Sequence, residues 1–245
     1  MKKVTVCLLI LFSLSLNAQE TIEILYQNKD YKFVREPEYF DYIDADMDVS
    51  SKIKIADYRL TIDKQGANNL TSVFFDFEKL ALEAGANSFT IESVSANSMQ
   101  YIVEVSLYNL NEEEAQENFS FYEQNVVVLI GDLNTKKTDK SKSCKVNGKK
   151  VSLLPYTYLK YQNEIDQKIK INIGGILGSL VTVVGEENKL LRCFSLGGIS
   201  LAPSTGIGHV GVSISTGAIY PVDPCLGLFI MTILNNVDNP AEKTI

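Results

Sequence analysis

Between Thr71 and Ala84 the apolar residues Val73, Phe74, Phe77, Leu80, Ala81 and Ala84 recur at the spacing of one helical face. Thr71 is placed to cap that helix, Leu70 and Phe75 to staple its entry, and Gly85 to stop it in the left-handed conformation. The rest of the pattern has a period of two or no period at all. Ile22, Ile24 and Tyr26 share one parity before a turn at Asn28-Lys29-Asp30. Lys52–Asp63 reads as a strand with Ile53, Ile55, Tyr58, Leu60 and Ile62 facing a core. Phe89 and Ile91 open another, which returns through Ala96-Asn97-Ser98 along Tyr101, Val103, Val105 and Leu107.

Val126–Ile130 is wholly apolar and β-branched, as expected of a buried strand that closes this first layer. Asn147-Gly148 is the preferred pair for a two-residue hairpin turn. Tyr156 and Tyr158 fall on one face of an extended segment, with Tyr161 close behind. Ile169, Ile171 and Ile173 alternate with Lys168, Lys170 and Asn172 before Gly174-Gly175. Leu180–Val184, Leu190–Leu201 and the segment from His209 to Val222 read as further strands, and Gly227–Leu234 as a last, almost wholly apolar one. Glycine inside such strands marks bends or close backbone approach.

The pattern predicts an α+β fold, predominantly antiparallel β. An N-terminal α+β unit with one clear amphipathic helix is followed by a strongly curved, glycine-rich antiparallel sheet, as a sandwich or half-barrel. The regions are 1–18, a signal peptide; 19–134, the α+β region; 135–150, a lysine-rich hairpin or connector; 151–235, a β-rich region; and 236–245, a flexible tail.

The leader changes the expected compartment. Lys2 and Lys3 precede the 13-residue apolar run Val4–Leu16, and Leu16-Asn17-Ala18 supplies a small-residue exit before Gln19. The run is shorter than the roughly 20 residues of a spanning helix, and Cys7 lacks the setting of a lipid-attachment site. The mature chain is therefore expected to be exported, whether periplasmic, outer-membrane-associated or secreted, with no transmembrane helix after cleavage.

The formal net charge is −7, and removal of Lys2 and Lys3 leaves 21 of the 23 basic residues against 30 acidic ones, or −9. A field of that sign disfavours nucleic acid as a partner. Cys144, Cys193 and Cys225 remain after the leader, an odd number, so one thiol at least has no internal partner. Cys193 and Cys225 are expected as two buried thiols rather than a bridge. A single histidine, His209, rules out zinc chemistry built on several His ligands.

Candidate chemistry is sparse. Asp44, Asp46 and Asp48 have the alternating spacing that aims carboxylates at a hard cation, so calcium is the one cofactor considered. However, Val49 and Ile55 stand where an EF-hand loop needs Gly and Glu. Lys136, Lys137, Lys140, Lys142, Lys145, Lys149 and Lys150 form a basic cluster. It suits an anionic partner (a lipid headgroup, a polyanionic glycan or the chain's own acidic loop) or, more simply, a hairpin edge guarded by lysines. No aromatic interleaves with it to stack on bases.

His209, Gly211, Ser213 and Ser215 form a small-residue strand face suited to a ligand or partner, and His209 with the two serines is the only hydrolytic set. Four residues of strand nevertheless separate His209 from Ser213 by about 13 Å, and no Gly-x-Ser-x-Gly elbow occurs. The sequence thus favours a non-enzymatic envelope binding or scaffold protein with a protein or glycan partner. A secreted hydrolase, a calcium-dependent binding protein and an outer-membrane β-barrel component are the alternatives.

Overall fold

The computed structural model describes residues 21–33, 37–64, 66, 69–133, 140–173, 179–197 and 218–236. The fold is α+β and mostly antiparallel. In the first part, β1 (Ile22–Gln27), β2 (Asp41–Tyr42), β3 (Ile53–Asp63), β4 (Ser88–Ala96) and β5 (Gln100–Asn109) form one sheet in the order β1-β3-β5-β4-β2. All its pairs are antiparallel except β2 with β4. The register shifts between Lys54 and Ala56, which moves the buried parity from Ile55 to Tyr58, Leu60 and Ile62. Ile53, ahead of that bulge, is 54% exposed instead of facing the core.

The amphipathic helix is α1 (Leu70–Glu83), with Leu70, Val73, Phe74, Phe77 and Ala81 buried. Its cap is Asn69 rather than Thr71: Asn69 Oδ1 accepts from the Thr71 and Ser72 N–H groups at 3.0 and 3.1 Å. Asn ranks above Thr as a cap, and the Thr71 hydroxyl is left buried with no partner among the described residues. Leu70 lies inside the helix and Phe75 is exposed, so the expected staple does not form. The stop is as expected. Gly85 has φ +84°, its N–H reaches the Leu82 carbonyl, and the Ala86 N–H reaches that of Ala81, 2.9 Å each. A second helix, α2 (Glu112–Phe121), opens on three glutamates, and Asn111 and Glu114 make a reciprocal capping box at its start.

Two further sheets follow. One contains β6 (Val126–Ile130), β9 (Tyr158–Gln162), β12 (Arg192–Leu196) and β13 (Ile219–Val222), ordered β13-β12-β6-β9 with β6 and β12 parallel. The other contains β7 (Lys142–Val146), β8 (Lys149–Leu153), β10 (Lys168–Ile173) and β11 (Ser179–Val184), ordered β11-β10-β7-β8. Asn147 and Gly148 join β7 to β8 with φ of +49° and +84°, the two left-handed residues of the expected turn. Tyr156 sits in a turn at φ +56°, so it does not share a strand face with Tyr158, which is buried.

Strand β6 does not close the first sheet. It lies inside the β13-β12-β6-β9 sheet, with Val126, Val128 and Ile130 in one core and Val127 and Leu129 in the other. A strand covered on both faces reads as an unbroken apolar run. The first core joins the five-stranded sheet, α1 and one face of the central sheet. The second lies between the central sheet's other face and the β11-β10-β7-β8 sheet. The molecule is thus layered sheet, helices, sheet, sheet.

Gly227–Leu234, expected as a strand, belongs to helix α3 (Pro224–Asn236). Asp223 caps it, its Oδ1 accepting from the Cys225 and Leu226 N–H groups at 2.9 and 3.2 Å, and Pro224 takes the first helical position. Eight of its residues are buried because it lies in the helical layer, against β2, β4, α1 and β12. Being buried on nearly every side, it shows no amphipathic stripe. Phe229 meets Phe74 at 5.2 Å between ring centroids, in a cluster with Phe40, Phe77 and Phe89. Among the described residues no helix is long and apolar enough to cross a membrane.

Candidate functional site

Of the residues singled out by sequence, His209, Gly211, Ser213 and Ser215 lie outside the described residues, as do the leader 1–18 and the tail beyond Asn236. The loop of Asp44, Asp46 and Asp48 is described. Asp44 Oδ1 accepts from the Asp46 N–H at 3.0 Å and Asp48 Oδ1 from the Ser50 N–H at 2.9 Å, so both carboxylates brace their own turns. Ile43 and Met47 anchor the loop against Tyr108 and Leu110. Among the described residues no group of three or more His, Cys, Asp or Glu side chains is arranged to hold a metal ion.

The three thiols are free and buried. Burial pushes the Cys144 thiol up to about 11, and burial followed by the charge of Asp223 pushes Cys193 up to about 12. Cys225 is raised well above the ordinary thiol value by burial, then by Asp223, Asp41 and Glu78. A thiol held protonated is neither nucleophile nor metal ligand. These cysteines act as small core residues.

The carboxylates around Cys225 form a group that the sequence did not reveal. Asp41 on β2, Glu78 on α1 and Asp223 at the head of α3 lie far apart in the chain and share one junction. Burial and then the Asp223 charge raise the Asp41 carboxyl to about 6, and the same two causes raise Glu78. Burial and a like-charged neighbour favour the protonated form of Asp41 and Glu78 at this junction. Its evident task is structural, since Asp223 supplies the cap that starts α3.

A second constellation is electrostatic. β7, β8, β10 and β11 contain six lysines and no acidic residue. Lys142 turns to Asp132 at 2.9 Å. Lys145 and Lys150 stand directly opposite each other across β7 and β8, and Asn172 of β10 lies beside Lys145 on the other side. Ile169, Ile171 and Ile173 point into the second core, so Lys168, Lys170 and Asn172 point out on the same face as Lys145 and Lys150. All four lysines are exposed, and among the described residues none has a carboxylate at ion-pair distance.

The first sheet contrasts with this face, because several of its charges are paired. On the outer face of the first sheet Arg59 bridges Glu23 and Glu104, both at 2.9 Å, Lys54 meets Asp57 at 2.6 Å, and nearby Lys52 meets Glu114 at 3.3 Å. The sequence pointed to Lys145 and Lys150 in its lysine cluster. It missed Lys168 and Lys170, whose only signal was their alternation with isoleucine. No family model, curated protein or solved structure matches this chain.

Proposed function

We propose that the chain is an exported, non-enzymatic binding or scaffold protein of the cell envelope that engages an anionic partner through the outer face of the β11-β10-β7-β8 sheet. One observation carries the reading: four lysines share that face without a carboxylate among the described residues, in a chain with 30 acidic residues. Like charges placed opposite each other on a sheet are destabilising, and a partner of opposite sign offsets that cost when it binds. Lysines do protect sheet edges. Here Lys145 sits on the interior strand β7, paired with β8 on one side and with β10 on the other.

The test uses the mature chain, whose pI lies far below neutrality. At pH 7 and low salt it should be retained by a cation-exchange resin despite its net negative charge, and K145Q/K168Q/K170Q should flow through. Retention of that variant like the parent would refute the binding face. N-terminal sequencing of protein from the envelope should begin near Gln19, and a start well upstream would refute export by cleavage at Ala18.

A further inference from the structure

We propose that the lysine face is a docking track for an extended anionic polysaccharide, an inference that rests on the binding reading above. The strand registers place the lysines in a staircase. Lys150 on β8 stands beside Lys145 on β7, and Lys145 stands beside Asn172 on β10. From Asn172 the lysines step back along β10 to Lys170 and then Lys168, past the turn of the β7–β8 hairpin, where the Lys170 N–H is held by Asn147 Oδ1 at 2.8 Å. With strands about 4.8 Å apart and about 6.7 Å between residues i and i+2, the track runs about 17 Å from Lys150 to Lys168. It is a line of positive charge crossing three strands diagonally, the shape of a chain rather than of one compact anion.

The neighbouring side chains suit a sugar polymer. Ser143, Ser152, Asn172 and Thr182 share the face, and Ser143 and Ser152 hydrogen-bond each other at 2.6 Å across the hairpin. Hydroxyls and an amide beside ammonium groups match a ligand that alternates hydroxyls with carboxylates or sulfates. Other polyanions fit less well. An acidic peptide is recognised on a sheet mainly by adding a strand at its edge, whereas Lys145 pairs with β8 on one side and β10 on the other, and the Lys170 main chain is held by Asn147. Single-stranded nucleic acid needs aromatic platforms, and no outward position of these four strands is aromatic. A membrane surface calls for apolar groups beside the basic ones. Leu180 is the one large exposed apolar residue within these four strands, 62% exposed, and lies opposite Asn172, to one side of the staircase.

The experiment titrates the mature chain, isotopically labelled, with oligogalacturonate of about ten units and with the dimer, and reads amide and lysine side-chain shifts. The long oligomer should shift Lys145, Lys150, Lys168 and Lys170 together and bind at least ~10-fold tighter than the dimer, because only it spans the track. K145Q/K170Q should weaken it at least ~10-fold, while K64Q/K79Q, which removes the same charge elsewhere, should leave it unchanged. Circular dichroism confirms that both variants fold.

Parallel arms use polyglutamate, a DNA oligonucleotide, and vesicles of phosphatidylglycerol in phosphatidylcholine. Equal or tighter binding in any of them would overturn the polysaccharide assignment, as would equal binding of dimer and decamer. Retention on the cation exchanger without oligogalacturonate binding would sink the track and leave the proposed function standing. Loss of both would sink both.

Discussion

Gly227 is where α3 presses on β12. A Cβ there would lie 2.3 Å from Cys193 Sγ and 3.0 Å from its Cβ, so the helix reaches this depth only without a side chain. Gly227→Ala gains about 1 kcal/mol of helix propensity and should still cost about 1–3 kcal/mol by overpacking. Cys193→Ala opens a small void at the same point. The two changes should therefore compensate, with a coupling of about 1 kcal/mol in a double-mutant cycle by urea unfolding, and strict additivity would show that the contact is not made. Asp41 sets a different balance. Its folded-state pKa, about 6, lies above the usual 3.8, so the folded state binds the proton more tightly, and the contribution of this group to stability falls as pH rises between about 4 and 6. Asp41→Asn should flatten that part of the profile. It should match the parent near pH 4 and exceed it at pH 7, and a difference between the two that does not grow over this interval would contradict the burial of Asp41 beside Asp223.

At the scale of elements, the start of α1 separates two candidate caps. Asn69→Ala should cost about 0.5–2 kcal/mol, since it strands the Thr71 and Ser72 N–H groups. Thr71→Val should be neutral or stabilising, because the buried hydroxyl it removes has no partner among the described residues. The reverse order in thermal unfolding would restore Thr71 as the cap. Helix α1 was legible because one of its faces meets water, and so were β10 and the hairpin of β4 and β5. α3 was not, because immersion in the core erased its stripe and left an apolar run that reads equally well as a strand. Its helical start was still written in Asp223-Pro224. The sites follow the same logic. Lys145 and Lys150 are neighbours across a short turn, and sequence shows them together. Lys168 and Lys170 join them only through the pairing of β7 with β10, and Asp41, Glu78 and Asp223 meet only once three distant elements pack.

At the scale of the whole molecule, the central sheet decides how the layers unfold. Neighbouring residues of β12 and β6 face opposite cores: Cys193 and Val128 enter the first, Phe194 and Val127 the second. Neither core can lose its side of these strands without stripping the other, so both should melt together despite lying in different layers. The buried thiols report on each one. Cys193 and Cys225 read the first core and Cys144 the second, and all three should resist alkylation in the native state and become reactive at one urea concentration. Phe229→Ala, in the first core, should cost about 3–5 kcal/mol by removing the ring that packs on Phe74, Phe77 and Phe89. It should lower the urea midpoint for Cys144 as much as for Cys193, although Phe229 is not part of the second core. If Cys144 instead keeps its own midpoint while the other two shift, the β11-β10-β7-β8 sheet unfolds as a separate unit, and the coupling assigned to β6 and β12 is wrong.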